Sequence, residues 1–155
     1  MGSESPLLSV VLPTFNEADN LGTVVSAIGQ ALAGHEFEIL VVDDDSPDQT
    51  WRLAQELARK CDQLRVIRRV GRRGLSSAVI EGFLAARGDV LAVMDADGQH
   101  DAGLLPRLHA AVAAGAEIAI GSRYVEGGSV GVWDERRHLL SRVATRLSQR
   151  LCRVV

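Results

Sequence analysis

Short apolar runs rich in β-branched residues alternate with amphipathic helical stretches along most of this 155-residue chain. Five runs predict strands, and they cover residues 7–12, 37–42, 64–67, 90–94 and 118–120. Pro13 is expected to stop the first strand, and the Ser-Pro-Asp-Gln sequence at 46–49 resembles a capping box that opens a helix. Because each strand is followed by a helix and no segment repeats, the sequence predicts an α/β fold. Its mostly parallel sheet has helices on both faces.

Composition and charge narrow the class of protein. The chain is 46% hydrophobic and 24% charged, enough to bury a core, and its formal charge of −3 argues against a nucleic-acid binder. Lys60 is the only lysine among 17 basic residues, so arginine, which grips phosphate with a planar fork, supplies the rest. Cys61 and Cys152 have neither metal-site nor disulfide spacing. With no secretory signal and no bilayer-spanning run, we expect a cytoplasmic protein.

Polar residues follow each predicted strand, and in a parallel sheet such residues meet at one edge, where ligands bind. Asp95 and Asp97 come directly after an apolar strand, with Gln99 two residues further on. Carboxylate and amide oxygens are ligands that Mg²⁺ and Mn²⁺ prefer. A polar turn that caps a helix is the alternative, but two neighbouring carboxylates after a buried strand favour a cation.

Two other strand ends carry candidate nucleotide contacts. One carboxylate of the acidic triplet Asp43, Asp44 and Asp45 is expected to accept hydrogen bonds from a base or a ribose, the alternative being a helix cap. Pro13 and Phe15 would form a shelf for a base, and Glu17 is either a ligand contact or a charge at a helix start. No glycine-rich fingerprint follows the first strand, which disfavours a dehydrogenase or an ATPase.

The last third of the chain is rich in arginine. Arg123 and Arg136-Arg137 are expected to neutralise phosphates; the alternative is an exposed surface charge without a function, which is favoured for Arg136. From residue 140 onward, arginines and apolar residues repeat at helical spacing on neighbouring faces. Such a basic amphipathic helix fits a membrane surface with anionic lipids, and a helix that packs into a core is the alternative.

Taken together, these motifs resemble the family-2 glycosyltransferases and, within them, the polyprenyl (dolichyl) phosphate mannose synthases. The matching stretches extend from about residue 8 to about residue 153, and they cover 11–17, 41–50, 74–78, 94–100, 121–128, 133–137 and 140–142. The resemblance implies a GT-A type (Rossmann-like) fold. It also implies an inverting transfer of a sugar, mannose from GDP-mannose, to a polyprenyl phosphate. The alternatives are a family-2 transferase that uses UDP-glucose or another donor and acceptor, and a truncated, non-catalytic nucleotide-sugar-binding module.

The resemblance also implies roles for individual residues. Nucleotide binding would fall to Pro13, Phe15, Glu17, Asp43, Asp44 and Asp95. Asp95, Asp97 and Gln99 would hold Mg²⁺ or Mn²⁺, and the catalytic set would be Asp97, Arg123 and Arg137. We expect residues 1–130 to form the catalytic core and 131–155 to form a truncated part near the acceptor and the membrane. The protein would then act peripherally on the cytoplasmic face of a membrane.

Overall fold

The computed structural model describes residues 7–122. The chain divides between Gly121 and Ser122, and the description concerns the first of the two units. Its helices and strands follow in chain order: β1 (Leu8–Thr14), α1 (Ala18–Ala31), β2 (Phe37–Asp43), α2 (Thr50–Ala58), β3 (Leu64–Arg68), α3 (Leu75–Ala85), β4 (Val90–Val93) and, after a 3₁₀ turn at Ala102–Leu104, α4 (Leu105–Ala113). The predicted division at residue 130 lies outside the described residues and stays a prediction.

The four strands of residues 7–122 pair in parallel, in the order β3-β2-β1-β4. Two buried clusters lie on opposite faces of this sheet. The larger one joins β1 and β2 to α1, α2 and the 3₁₀ turn, and the smaller one joins them to α3. The predicted α/β fold with a parallel sheet and helices on both faces is therefore confirmed.

Helix α3 lies close to the sheet because residue 82 is glycine. A Cβ atom built on Gly82 would lie 2.5 Å from Cγ1 of Val11 and 3.2 Å from Cγ2 of Val42. Such distances are shorter than van der Waals contact, so any side chain here would push α3 away from β1 and β2. The glycine thus sets the spacing between helix and sheet.

A buried polar network fastens the amino-terminal edge of the sheet. Glu38 accepts hydrogen bonds from the Ser9 hydroxyl at 2.7 Å and the Arg87 amide at 2.6 Å, and it pairs with Arg65 at 2.7 Å. Burial disfavours the charged carboxylate, but the bonds from Arg65, Ser9 and Arg87 hold the pKa of Glu38 below its usual value. The Gly88 amide donates to Ser9, so the network also ties down the chain that leads into β4.

Three local predictions were wrong. Residues 118–120 form no strand, since an apolar run becomes a strand only where a neighbouring strand pairs with it. Ile118 and Ile120 are 77% and 79% exposed. Pro13 lies inside β1 and does not end it. Helix α2 begins at Thr50 and not at residue 46.

No helix within the described residues is long and apolar enough to cross a membrane.

Candidate active site

The carboxyl ends of the strands meet at one edge, as expected. Thr14 of β1, Asp43 of β2 and Arg68 of β3 are Cα partners across the sheet, so the loops that follow them start side by side. On the other side of β1, β4 ends at Val93, paired with Val11, and Asp95 follows shortly after. Candidate residues from four loops therefore lie along one edge.

Hydrogen bonds connect the loop between β1 and α1 to the loop between β2 and α2. The amides of Asn16 and Glu17 donate to the hydroxyls of Ser46 and Thr50, each at 3.0 Å. The amide of Ala18 donates to Oδ2 of Asp48 at 3.0 Å. The Ser-Pro-Asp-Gln segment that resembled a cap for α2 thus caps the start of α1, in the neighbouring loop.

Asp48 serves both helices at once. Its Oδ1 accepts from the amide and hydroxyl of Thr50, at 3.0 and 2.6 Å, while its Oδ2 accepts from Ala18. Desolvation opposes the charge, but the hydrogen bonds from Thr50 and Ala18 hold the pKa of Asp48 below its usual value. The carboxylate therefore stays ionised near neutral pH and fixes both loops.

Asp43, the last residue of β2 and one of the two expected nucleotide contacts at this strand end, is fully buried. Its Oδ2 accepts from the Thr14 hydroxyl at 2.8 Å and the Ser46 hydroxyl at 2.6 Å, and its Oδ1 accepts from the Ser46 amide at 2.9 Å. All three bonds lie within the protein. The geometry therefore indicates that Asp43 stabilises the loop after β2.

Asp44, the other candidate, is also buried, and its partner was not predicted from the sequence. Its Oδ1 pairs with Arg69 at 2.5 Å, and its Oδ2 accepts from the Gly74 amide at 2.7 Å. Arg69 is only 2% exposed and binds three more groups: Glu81 at 3.1 Å, the Ser77 hydroxyl at 2.6 Å and the Gly74 carbonyl at 3.3 Å. Arg69 thus anchors the loop after β3 to the loop after β2.

Asp45, the third acid of the triplet, faces a surface cluster. Its Oδ1 accepts from Nε of Arg68 at 2.6 Å, and the Arg68 guanidinium lies 3.7 Å from the centre of the Trp51 ring. The Asp45 backbone is left-handed, with φ of 55°. This stack braces the outer side of the loop after β2.

The expected base shelf is open to solvent. Phe15 is 42% exposed, Pro13 is half-buried, and the guanidinium of Arg73 lies 4.5 Å from the centre of the Phe15 ring. Glu17 is half-buried, and its Oε2 accepts from the Asn20 side chain at 2.9 Å. The structure thus places an accessible aromatic face at the strand edge, with an arginine above it.

Asp95 and Asp97 lie close together beyond β4. Both carboxylates approach Nδ1 of His100, at 3.9 and 3.7 Å, distances too long for hydrogen bonds. Oδ1 of Asp97 accepts from the Gln99 amide at 2.9 Å, and the Gln99 side chain is exposed.

This donor set can be compared with what metal ions require. No three His, Cys, Asp or Glu side chains among residues 7–122 form a ready-made metal cage. Two accessible carboxylates nevertheless fit an Mg²⁺-type ion, which takes one or two protein carboxylates and completes its shell with phosphates and water. Asp95 and Asp97 therefore suit a cation shared with a diphosphate. Arg123 and Arg137 lie outside the described residues.

Comparison with known proteins identifies the family of the chain. The family model for glycosyl transferase family 2 matches residues 9–153. Dolichol-phosphate mannosyltransferase of Pyrococcus furiosus is 54% identical over 88% of this chain and 39% of its own length. Polyprenol monophosphomannose synthase of Mycolicibacterium smegmatis is 46% identical over 90% of this chain and 54% of its own length. The chain thus spans about half, or less, of the length of these curated relatives.

Solved structures place the fold. A mannosyltransferase of Pyrobaculum calidifontis in complex with GDP-Man and Mn²⁺ superposes with a TM-score of 0.55 at 26% identity, over 61% of this chain and 28% of its own. Glucosyl-3-phosphoglycerate synthase of Mycobacterium tuberculosis in complex with Mn²⁺ and UDP gives 0.55 at 25% identity, over 69% and 39%. The expected GT-A fold is confirmed. Because the family model matches almost the whole chain and the curated relatives are about half identical to it, the chain belongs to glycosyl transferase family 2.

Proposed function

We propose that this chain is the nucleotide-sugar-binding part of an inverting mannosyltransferase that moves mannose from GDP-mannose to a polyprenyl phosphate. The observation that carries the proposal is the strand edge itself. Phe15 offers an exposed aromatic ring on a loop that is hydrogen-bonded to the neighbouring loop, and Asp95 and Asp97 form an accessible carboxylate pair beyond β4. The names of the two curated relatives support mannose as the sugar and a polyprenol phosphate as the acceptor.

The roles of the residues follow from this arrangement. Asp95 and Asp97, with Gln99, would hold Mg²⁺ or Mn²⁺, and the bound cation would stabilise the departing diphosphate. Pro13 and Phe15 would support the base. Asp43 and Asp44 would act through the loops that they hold, because their oxygens already bind protein groups. Glu17 would contact the nucleotide from the start of α1.

The acceptor chemistry needs little from the protein beyond position and charge. A lipid phosphate is already anionic at neutral pH, since its second pKa is about 6, and so needs no strong general base. Two anions must nevertheless meet, which calls for cationic side chains, and Arg123 and Arg137 are the residues proposed for this task. The arginine-rich sequence after residue 136 supports a peripheral position on the cytoplasmic face of a membrane.

Calorimetry with GDP and Mn²⁺ tests the metal pair. Asp97→Ala should weaken GDP binding in the presence of Mn²⁺ by at least about 10-fold, because one of the two carboxylates is lost. Asp89→Ala is the matched control, since Asp89 is also exposed but precedes β4 at the opposite end of the strand. Equal affinity of the two variants would refute the metal assignment.

The donor and the acceptor need separate measurements. The full chain should bind GDP more tightly than UDP or ADP, and mannose transfer to a polyprenyl phosphate should be detectable with GDP-mannose. A ranking with UDP first would favour the glucosyl alternative, which the M. tuberculosis structure with UDP supports. Nucleotide binding without turnover would favour the non-catalytic module.

A further inference from the structure

Arg73 differs in its contacts from the other arginines at the end of β3 and in the loop that follows. Arg68 pairs with Asp45, Arg69 with Asp44 and Glu81, and Arg72 with Glu81. Arg73 has no carboxylate within 4 Å among the residues that the structure describes, and its contact is with the Phe15 ring, 4.5 Å from guanidinium carbon to ring centre. An exposed cation is therefore kept on an exposed aromatic face, inside the proposed nucleotide site.

The backbone beside Arg73 is fixed. The amide of Gly74 donates to Oδ2 of Asp44 at 2.7 Å, and the Gly74 carbonyl accepts from buried Arg69 at 3.3 Å. Gly74 has φ of 128°, a conformation that favours glycine. The residue that follows Arg73 is therefore hydrogen-bonded to the loop after β2.

The loop that carries Arg73 starts far from the carboxylate pair. It follows β3, whereas Asp95 and Asp97 follow β4, and the sheet order β3-β2-β1-β4 puts three strand spacings between these two strands. At about 4.8 Å per spacing this is about 14 Å. If a diphosphate binds at the carboxylate pair, the loop of Arg73 starts at the end of the edge where the nucleoside would lie.

We propose that Arg73 is a positioning residue for the nucleotide, with its guanidinium plane lying on Phe15 and its outer face stacked on the base. Arginine planes stack on aromatic rings and on bases, and a guanidinium is weakly hydrated enough to be covered on both faces. This inference rests on the proposed function. It puts the Arg73 guanidinium between Phe15 and the base, so that Phe15 supports the base through Arg73, whereas the catalytic proposal concerns the metal and the phosphates.

Binding measurements on the full chain with Mn²⁺, using GDP and inorganic diphosphate as the two probes, separate base stacking from phosphate binding. Arg73→Gln should weaken GDP binding by about 3- to 30-fold, the range of a partly desolvated cation–π contact. Inorganic diphosphate should bind this variant as it binds the wild-type protein. Arg73→Lys should recover only part of the loss, because lysine keeps the charge but not the planar group.

Arg72→Gln is the matched control, since Arg72 is the neighbouring exposed arginine but pairs with Glu81. It should change GDP binding less than about 2-fold. Equal weakening of GDP and inorganic diphosphate by Arg73→Gln would make Arg73 a phosphate ligand and overturn the stacking. An unchanged GDP affinity would make it a surface residue. A wild-type protein that binds neither probe would refute the proposed function itself.

Discussion

Arg69→Met should lower the free energy of unfolding far more than Arg72→Met does. The Arg69 side chain is 2% exposed and binds two carboxylates, Asp44 and Glu81, whereas that of Arg72 is 61% exposed and pairs with Glu81. Removing one partner of a buried ion pair leaves an uncompensated charge and costs about 3–5 kcal/mol. Losing an exposed pair costs about 0–1 kcal/mol. Guanidinium-chloride unfolding of the full chain measures the free energy of unfolding of both variants.

A double-mutant cycle locates the cost in the pair. Asp44→Asn with Arg69→Met should destabilise the protein by at least about 1 kcal/mol less than the sum of the two single variants, because the second change removes the orphaned charge. The side-chain carbonyl of the substituted asparagine can still accept from the Gly74 amide, which donates to Asp44 in the wild-type protein. The reasoning would be refuted if Arg69→Met cost no more than Arg72→Met, or if the two changes were simply additive.

Two further predictions concern the packing and the acid stability of the sheet. Gly82→Ala should lower the free energy of unfolding by about 1–2 kcal/mol, because its methyl group would lie 2.5 Å from Val11. Gly29→Ala is the control in α1: the space around Gly29 is open, so this change should raise the free energy of unfolding by about 0.5–1 kcal/mol. A stabilisation by both changes would refute the close contact at Gly82. Glu38→Gln should cost about 1–3 kcal/mol at pH 7. Since folding lowers the pKa of Glu38, its ionic contribution is present above the unfolded pKa of about 4.3 and is lost as the pH falls through the lower folded value. The difference between Glu38→Gln and the wild-type protein should therefore shrink in acid, and urea unfolding between pH 7 and pH 3 would show whether it does.

The sequence predicted the sheet better than the site. Apolar runs and helical spacing are local patterns, and burial of those runs is what forms β1 to β4, so four strands were found near their true bounds. The run at 118–120 failed because residue type says nothing about a ladder partner. The positions of Asp95, Asp97 and Phe15 followed from one topological rule, that loops after parallel strands share an edge.

What the sequence did not reveal depends on contacts between loops. The segment from Ser46 to Thr50 has the spacing of a cap for its own helix, and only the fold shows that its side chains reach the start of α1. Likewise, nothing in the run Arg68, Arg69, Arg72, Arg73 distinguishes the one buried member from the three exposed ones. Burial of a single arginine is decided by which carboxylates surround it, and those lie 25 and 12 residues away.

The hydrogen bonds between the start of α1 and the loop after β2 limit how this site can bind a phosphate. The positive end of a helix, with its unpaired amides, is where many nucleotide-binding folds seat an anion. Here the amides of Asn16, Glu17 and Ala18 are already occupied by oxygens of Ser46, Thr50 and Asp48. On the proposed function, a diphosphate at this edge would therefore rely on a cation held by Asp95 and Asp97 and not on these three amides. The sequence between β1 and α1 agrees with this reasoning, because it lacks the glycine-rich fingerprint of folds that bind a diphosphate through backbone amides.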